Sequence, residues 1–447
     1  MPADTINISR LIDERPLSGL QKRVIALCGF VVLVEGFGTQ LPGFVAPALA
    51  NTFSLSAADL SVFFAIGLVG LMLGALIVSP LADRIGRRWV ILVSVFVFGL
   101  SSLATAASPS IVVLDLLRFV AGVGIGGALP TAVALTCEYS PHKRRSLMVV
   151  VMFNGFILGA LTVGLLSARL VPTLGWQSIF IIAGMVAMFL VPILEAALPE
   201  SPRFLAARED RRVETVSLLL HLDPTLQIGE HTRLVSNEEV TRDKSVAALF
   251  REGRTRTTLL LWVISFMSLL DLFLVAYWLP TEVRALGAPV GLALLVGALF
   301  QVGGLTGTVF GWMADRFGAG AGLSCAYLFG AICVAGVGFA GSSLPLVMLA
   351  VFGAGSGILG GQTTSNAVTA IAYPTDIRST GVGWATGLGR VGSIIGPLLA
   401  GGLVAMSVPP QYIFYVAAVP ALCAAAASAC LRPMHTQLMA TKEAAAE

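Results

Sequence analysis

Charge is what this chain has least of. Only 12% of its 447 residues are Asp, Glu, Lys or Arg, and its mean hydropathy is +0.88. Soluble domains carry about 25% charged residues, so a soluble fold is excluded and an integral membrane protein is implied. Histidine is nearly absent: the four residues His142, His221, His231 and His435 fall in loops or tails, which excludes a histidine proton relay inside the bilayer. The six cysteines sit in apolar runs or at their ends and form no CxxC, so neither a disulfide framework nor a metal site is expected. No GxxxxGK[ST] is present, which argues against ATP drive. No nucleophile–base set or metal cluster is apparent, so an enzyme is not expected, nor a bound cofactor. A net charge of +3 gives no reason to expect a nucleic-acid partner. No stretch alternates polar and apolar residues as a membrane β-strand does. The N-terminal residues are polar and include Asp13 and Glu14, unlike a secretory leader, so the first helix is expected to be retained.

What the chain has in abundance is apolar length. Windows of about 20 residues, enough to cross a bilayer, fall at 24–48, 60–81, 89–107, 111–138, 147–168 and 177–198, then at 257–280, 290–315, 321–340, 344–371, 379–403 and 411–431. The expected fold is therefore all-α, with twelve membrane-spanning helices. Residues 1–198 form one six-helix bundle, 199–256 a polar central loop with a short amphipathic helix near 205–222, and 257–447 a second bundle. Arg10, Lys22 and Arg23 precede the first span. Arg84, Arg87 and Arg88 follow the second, and Lys143, Arg144 and Arg145 follow the fourth, whereas the 1–2 and 3–4 loops have no Lys or Arg. The positive-inside rule then places both termini and the central loop in the cytoplasm. With 48 glycines, closely packed helices are expected.

The chain also repeats itself. SPLADRIGRR (Ser79–Arg88) returns as GWMADRFGAG (Gly311–Gly320) at an offset of 232, Gly122, Gly124 and Gly126 return as Gly353, Gly355 and Gly357 at 231, and Arg145-Ser146 returns as Arg378-Ser379 at 233. Two copies of a six-helix unit in parallel topology explain this spacing.

A few charges lie inside the apolar spans. Glu35 is about 11 residues into the first span, or about 17 Å at 1.5 Å per residue, near the middle of a hydrocarbon layer about 30 Å thick. A charge there costs at least about 2.5–3.5 kcal/mol, so a helix that only had to span would not carry it; the alternative is a protonated Glu bridging helices. Asp271, at an offset of 236 from Glu35, is a second such acid. Arg390 is about 16 Å into its own span. Its planar fork matches a carboxylate, and Gly387, Gly389 and Gly392 leave room for a ligand. It either grips a substrate carboxylate or pairs with Asp271 or Glu35 to hold the halves together. Arg118 has Asp115 one turn before it, a spacing that allows a local ion pair. Phe37, Tyr277, Trp278 and Trp384 are candidates to stack on an aromatic ring, although Trp278 is also placed to be an interfacial anchor. Asn154 and Gln301 either bind a ring hydroxyl or join helices.

LADRIGRR after the second span, with Arg118 and the glycines of the fourth, resembles the major facilitator superfamily. Thr5–Gln21, EGFGTQ and GFVAPAL in the first span, GGALPTAVALTCEYSP in the fourth and Tyr373–Pro397 narrow the resemblance to the aromatic acid:proton symporters. That family's first-helix motif is commonly Asp-Gly-Phe/Tyr-Asp; here it reads Glu35-Gly36-Phe37-Gly38, with the second acid lost and Asp271 a possible substitute. The resemblance implies a bacterial inner-membrane protein that takes up benzoate-like anions, with Arg118 joining the proton coupling. It also implies that the loop of Asp83, Arg84, Gly86, Arg87 and Arg88 acts as a conformational gate with Glu138 and Arg145, and with Asp315 and Arg378 in the second half. In that reading Asp83 caps a helix start in the other bundle when the cytoplasmic side is closed.

The energetics favour a proton as coupling ion. A monovalent anion entering a negative-inside cell works against about 2.3 kcal/mol per 100 mV, and one proton cancels the charge. Desolvation favours the neutral form of a carboxylic acid, which makes Glu35 the first choice of carrier and Asp271 the second. The expected protein is thus a proton-coupled importer of a hydroxybenzoate-like acid, working by alternating access with lipid as its surroundings and a monomer as its unit. The alternatives are a carrier of another organic anion, an exporter of aromatic compounds, or a membrane receptor.

Overall fold

A computed structural model describes residues 5–14, 17–141, 144–206, 208–222, 226, 232–235, 246–341, 343–373 and 377–431. Twelve helices in it are long and apolar enough to cross a membrane. In chain order the helices are α1 (Ile8–Glu14), α2 (Gly19–Phe53), α3 (Ala57–Leu73), α4 (Ser79–Ile85), α5 (Arg87–Ala106), α6 (Ile111–Tyr139), α7 (Arg145–Leu174), α8 (Gln177–Ala197), α9 (Pro202–Ala206) and α10 (Arg212–Leu222). They continue with α11 (Thr255–Ala285), α12 (Val290–Thr306), α13 (Thr308–Phe317), α14 (Ala319–Ala340), α15 (Leu344–Ala372), α16 (Arg378–Ala405) and α17 (Pro410–Ala429). The second span is α3 and α4 joined by a π-helical turn, Gly74–Val78, and the eighth is α12 and α13.

The helix starts follow from local chemistry. At α2, Ser18 and Gln21 exchange hydrogen bonds: Gln21 N–H donates to Ser18 Oγ at 3.2 Å and Ser18 N–H to Gln21 Oε1 at 2.7 Å. At α3 the same box forms between Ser56 and Asp59. Each satisfies two donors that a helix start leaves open. Between α4 and α5 the chain turns at Gly86 with φ 104°, and between α13 and α14 at Gly318 with φ 97°, a region that L side chains rarely enter. These are equivalent positions of the repeat, at the same offset of 232.

The chain forms two compact units. The first comprises Met1–Thr39, Val69–Thr162 and Gln177–Val240; the second comprises Gln40–Leu68, Val163–Trp176 and Thr241–Glu447. Helices α2, α3 and α7 therefore contribute to both. In the first unit α2 packs on α7 through glycines: a Cβ at Gly155 would fall on the Gly29 carbonyl, and one at Gly159 on the Leu33 carbonyl. In the second unit α11 packs on α16 in the same way, Gly392 on Phe266 and Gly396 on Leu270. Both pairs repeat at an offset of 237. Likewise Gly70 lies on the Phe119 carbonyl and Gly303 on the Phe352 carbonyl, at an offset of 233. The internal repeat is thus a repeat of backbone contacts. It also corrects one alignment: at 237, Glu35 matches Leu272, and Asp271 matches Val34. The two acids are one residue out of register and are not equivalent positions.

The segment from 199 to 256, expected as a linker, contains ordered pieces. The helix expected near 205–222 is broken into α9, a 3₁₀ turn at Glu209–Arg211 and α10. A short parallel pair joins β1 (Thr5–Asn7) to β2 (Arg233–Val235), and Ile8 and Ile12 of α1 pack on Leu219 of α10.

Overpacking a core costs about 1–3 kcal/mol. Gly392→Leu is therefore expected to lower the thermal unfolding midpoint of the detergent-solubilised protein by about 5 °C. Gly383→Ala, where a Cβ meets nothing within 4 Å, is expected to leave it unchanged.

Candidate functional site

In the first unit, Glu35 stands near the midpoint of the 35-residue α2 and is 2% exposed. It borders a small cavity with Val31, Ser94, Phe98, Ile125 and Ala128. Phe37 is buried. Gly38 stands where the second acid of the family motif would be: a Cβ there would come within 2.6 Å of Ile125 Cδ1 and 2.7 Å of Phe98, so any side chain would have to displace them. Arg118, 4% exposed, donates from Nη2 to the Gly38 carbonyl at 3.3 Å, and its guanidinium carbon is 6.0 Å from the Phe180 ring centroid. It meets this helix through backbone where a second carboxylate would stand in the family motif. Asn154 lies on an exposed face of α7.

The loop after α4 is held by a charge network in the same unit. Arg87 sits between Glu138 at 2.7 Å and Asp83 at 3.3 Å. Ser201 Oγ donates to Glu138. Asp83, expected to cap a helix start, is 78% exposed and rests on Arg87. The helix start that receives a carboxylate is that of α5, and the carboxylate is Glu200, which accepts from Arg87 N–H at 2.8 Å and from Arg88 N–H at 3.2 Å. Glu200 is 7% exposed and fills the space where a side chain at Gly86 would lie. Tyr139 Oη–H donates to the Glu200 carbonyl at 2.7 Å, and Gln21 Nε2 donates to the Tyr139 carbonyl at 2.9 Å. Arg208 Nη2 donates to the Arg84 carbonyl, and Arg88 Nη2 to the Glu195 carbonyl. Arg145 opens α7 and is half-buried. Sequence reasoning missed Glu200, although one acid between two prolines in an Arg-rich stretch was a usable signal.

In the second unit, Asp271 is fully buried in α11, and among the described residues neither of its oxygens has a hydrogen-bond partner. No ion pair joins it to Arg390. Arg390 is half-buried in α16. Of its flanking glycines, Gly389 lies against Leu269 Cδ1 (2.7 Å) and the Ser265 carbonyl (3.1 Å), and Gly392 on the Phe266 carbonyl. They serve helix packing; Gly387 alone faces open space. Tyr277 is 1% exposed, in a ring cluster with Phe64 (5.0 Å) and Phe273 (5.3 Å). Trp278 is 2% exposed and donates from Nε1 to the Pro397 carbonyl at 3.0 Å, which rules out an interfacial anchor. Trp384 is 45% exposed and stacks on Trp262 at 5.9 Å. Trp262 and Tyr277 are 15 residues apart on α11, about 22 Å along the axis, so Tyr277 and Trp384 do not line one ring site here. Gln301 is buried in α12. Asp315 is exposed, and Arg316 beside it lies over Trp312 and Phe317. The side chain of Arg378 lies outside the described residues.

Ionisable residues buried in apolar helices of membrane-spanning length, an internal repeat and a charge-locked loop after the second span are the features of a membrane transporter. A family model described as Major Facilitator Superfamily matches residues 28–360 and 261–447. The chain belongs to that superfamily, whose members transport solutes and are not enzymes. It is 38% identical to a gallate transporter of Pseudomonas putida over 98% of both chains. It is 36% identical to the 4-hydroxybenzoate transporter PcaK of Pseudomonas aeruginosa over 96% of both. It is 32% identical to a benzoate transport protein of Acinetobacter baylyi over 93% of this chain and 91% of that one. Among solved structures, a D-xylose-proton symporter superposes with a TM-score of 0.70 at 18% identity, covering 92% of this chain and 98% of that one. That likeness carries the fold alone.

A carboxylate on a helix start contributes about 1 kcal/mol, whereas an exposed ion pair contributes about 0–1 kcal/mol. Glu200→Ala should therefore lower the thermal unfolding midpoint clearly, and Asp83→Ala by less than half as much in the same assay.

Proposed function

We propose that this protein imports a small aromatic carboxylate together with a proton across the bacterial cytoplasmic membrane. It works as a monomer by alternating access, with both termini in the cytoplasm and no cofactor besides the coupling proton. The observation that carries the reading is a 38% identity to a gallate transporter along 98% of both chains. Relatives named for 4-hydroxybenzoate and benzoate support the same substrate class.

In this mechanism Arg390 holds the substrate carboxylate. It is half-buried deep in α16, and its guanidinium presents two parallel donors. Glu35 carries the proton. It is buried at the middle of α2, where a charge is tolerated only with compensation. Proton and anion entering together move no net charge, so the membrane potential does not oppose import and a pH gradient drives it. Arg118, held against α2 at Gly38, couples the state of that helix to α6. The Arg87–Glu138–Ser201 network and the Glu200 cap form part of the cytoplasmic gate.

Uptake of labelled benzoate and hydroxybenzoates, with and without an uncoupler, tests the reading. Accumulation is expected to rise as the external pH falls and to vanish with the uncoupler; accumulation indifferent to the uncoupler overturns proton coupling. Glu35→Gln should abolish accumulation while leaving substrate exchange intact. Arg390→Lys, which keeps the charge but loses the fork, should weaken uptake at least about tenfold.

A further inference from the structure

The second unit holds a polar cluster that the proposed mechanism leaves unused. Asp271 is 0% exposed, and neither carboxylate oxygen has a hydrogen-bond partner among the described residues. Nearby hydroxyls do not serve it. Tyr327 Oη–H donates to Ser268 Oγ at 2.8 Å, Ser268 Oγ–H donates to Gln362 Oε1 at 2.5 Å, and Gln362 Nε2 donates to Asn366 Oδ1 at 3.2 Å. The string runs one way, from buried Tyr327 to exposed Asn366, and spends its donors in that direction. What remains beside Ser268, one turn along α11, is acceptor capacity: a carboxylate and the lone pairs of a phenol.

Two further facts point to a ligand. Gln362 is half-buried and Asn366 exposed on one stripe of α15, a helix of membrane-spanning length. Gln362 is 10 residues from the end of that helix, about 15 Å deep, and an amide there faces water or a solute more favourably than hydrocarbon. Gln40 is 1% exposed, and among the described residues neither of its amide atoms has a hydrogen-bond partner. Three residues on, Gly43 rests on Ala276 and Tyr277, with a Cβ there 2.8 Å from the Ala276 carbonyl. This turn of α2 therefore lies against α11 just beyond Asp271. Among the described residues, the Asp271 oxygens and Gln40 Oε1 on adjoining helices thus lack donors that a hydroxyl-bearing ligand supplies, and Gln40 Nε2 can donate to the same hydroxyl.

Arg390 fixes the other end. Its neighbour Gly389 packs on Leu269 and the Ser265 carbonyl, which sets the backbone of Arg390 at the level of that stretch of α11. Asp271 is about one helical turn further along, about 5–6 Å.

We propose that Asp271, with Gln40 and the Tyr327–Ser268–Gln362 string around it, is the specificity element that accepts hydrogen bonds from the ring hydroxyls of the transported acid, while Arg390 takes its carboxylate. The inference rests on the reading of the protein as an aromatic-acid importer. A carboxylate matches ring hydroxyls as donors and gains nothing from an unsubstituted ring. A site built to bond a hydroxyl rejects the analogue that lacks it, because its buried acceptors stay unpaired.

The test is uptake of labelled benzoate, 4-hydroxybenzoate and 3,4-dihydroxybenzoate by cells producing the wild type, Asp271→Asn or Tyr327→Phe, with membrane levels of each protein measured. The wild type should favour the hydroxylated acids. Asp271→Asn should reduce the KM preference for them over benzoate at least about tenfold, the hydroxylated acids losing more than benzoate does. Tyr327→Phe, which keeps the carboxylate, should shift the same ratio less, and it carries the test alone if Asp271→Asn does not reach the membrane. An equal loss for all three acids, as for a proton carrier or a damaged fold, overturns the proposal, and so does an unchanged ratio. If the wild type takes up none of the acids, the substrate class itself fails and this inference with it. Benzoate uptake with an unmoved ratio refutes this inference alone.

Discussion

A carboxylate inside hydrocarbon must find a proton, a donor or a counter-charge, and that requirement organises the functional half of this molecule. The cost of leaving it charged and alone exceeds about 2.5 kcal/mol, a sizeable fraction of the net stability of a typical protein. Glu35 and Asp271 are both buried to within 2%, yet they meet the requirement differently. Glu35 borders a small cavity in the first unit, near the helix that carries Arg118. Asp271 stands among hydroxyls that donate elsewhere. The proposed division of labour follows: one acid exchanges a proton, the other awaits donors from the solute.

Around these groups the frame is set by glycine. Close approach of backbones is the means by which membrane helices gain packing energy when no hydrophobic effect separates them from lipid. The same glycine-on-carbonyl contacts recur in the two units, α2 on α7 and α11 on α16. This repeat of backbone contacts sets the register between the two halves of the sequence, and by it Asp271 is not the copy of Glu35. The same economy of space holds where the first-helix motif has its second acid. Phe98 and Ile125 fill the volume in front of Gly38, and Arg118 turns to a backbone carbonyl instead.

The loop after α4 shows how a short motif depends on residues far from it in sequence. LADRIGRR is legible by itself, but its anchor is Glu200, more than a hundred positions away. That acid takes the open N–H groups of α5, and Gly86 leaves the room for it. The expected role of Asp83 as a cap is performed at this helix by another acid, because Asp83 points to solvent and to Arg87. The central segment also brings Ser201 to Glu138 and Arg208 to the Arg84 carbonyl in the same region.

Spans, the two-fold repeat and the presence of buried charges were all readable from the chain alone, because each depends on local composition or on spacing along one helix. Gly86, Glu35, Arg390 and Asp271 stand out in the same way, each against an apolar or repeating background. Side-chain partnership was not readable. Gln40, Ser268, Tyr327 and Gln362 look like ordinary residues of membrane helices, and Glu200 like one more loop acid. Tyr277 and Trp384 looked like one aromatic box until the fold set them about four turns of helix apart. Which groups meet depends on helix register and rotation. Those are decided by contacts between glycines and carbonyls that lie far apart in the chain and share no local pattern.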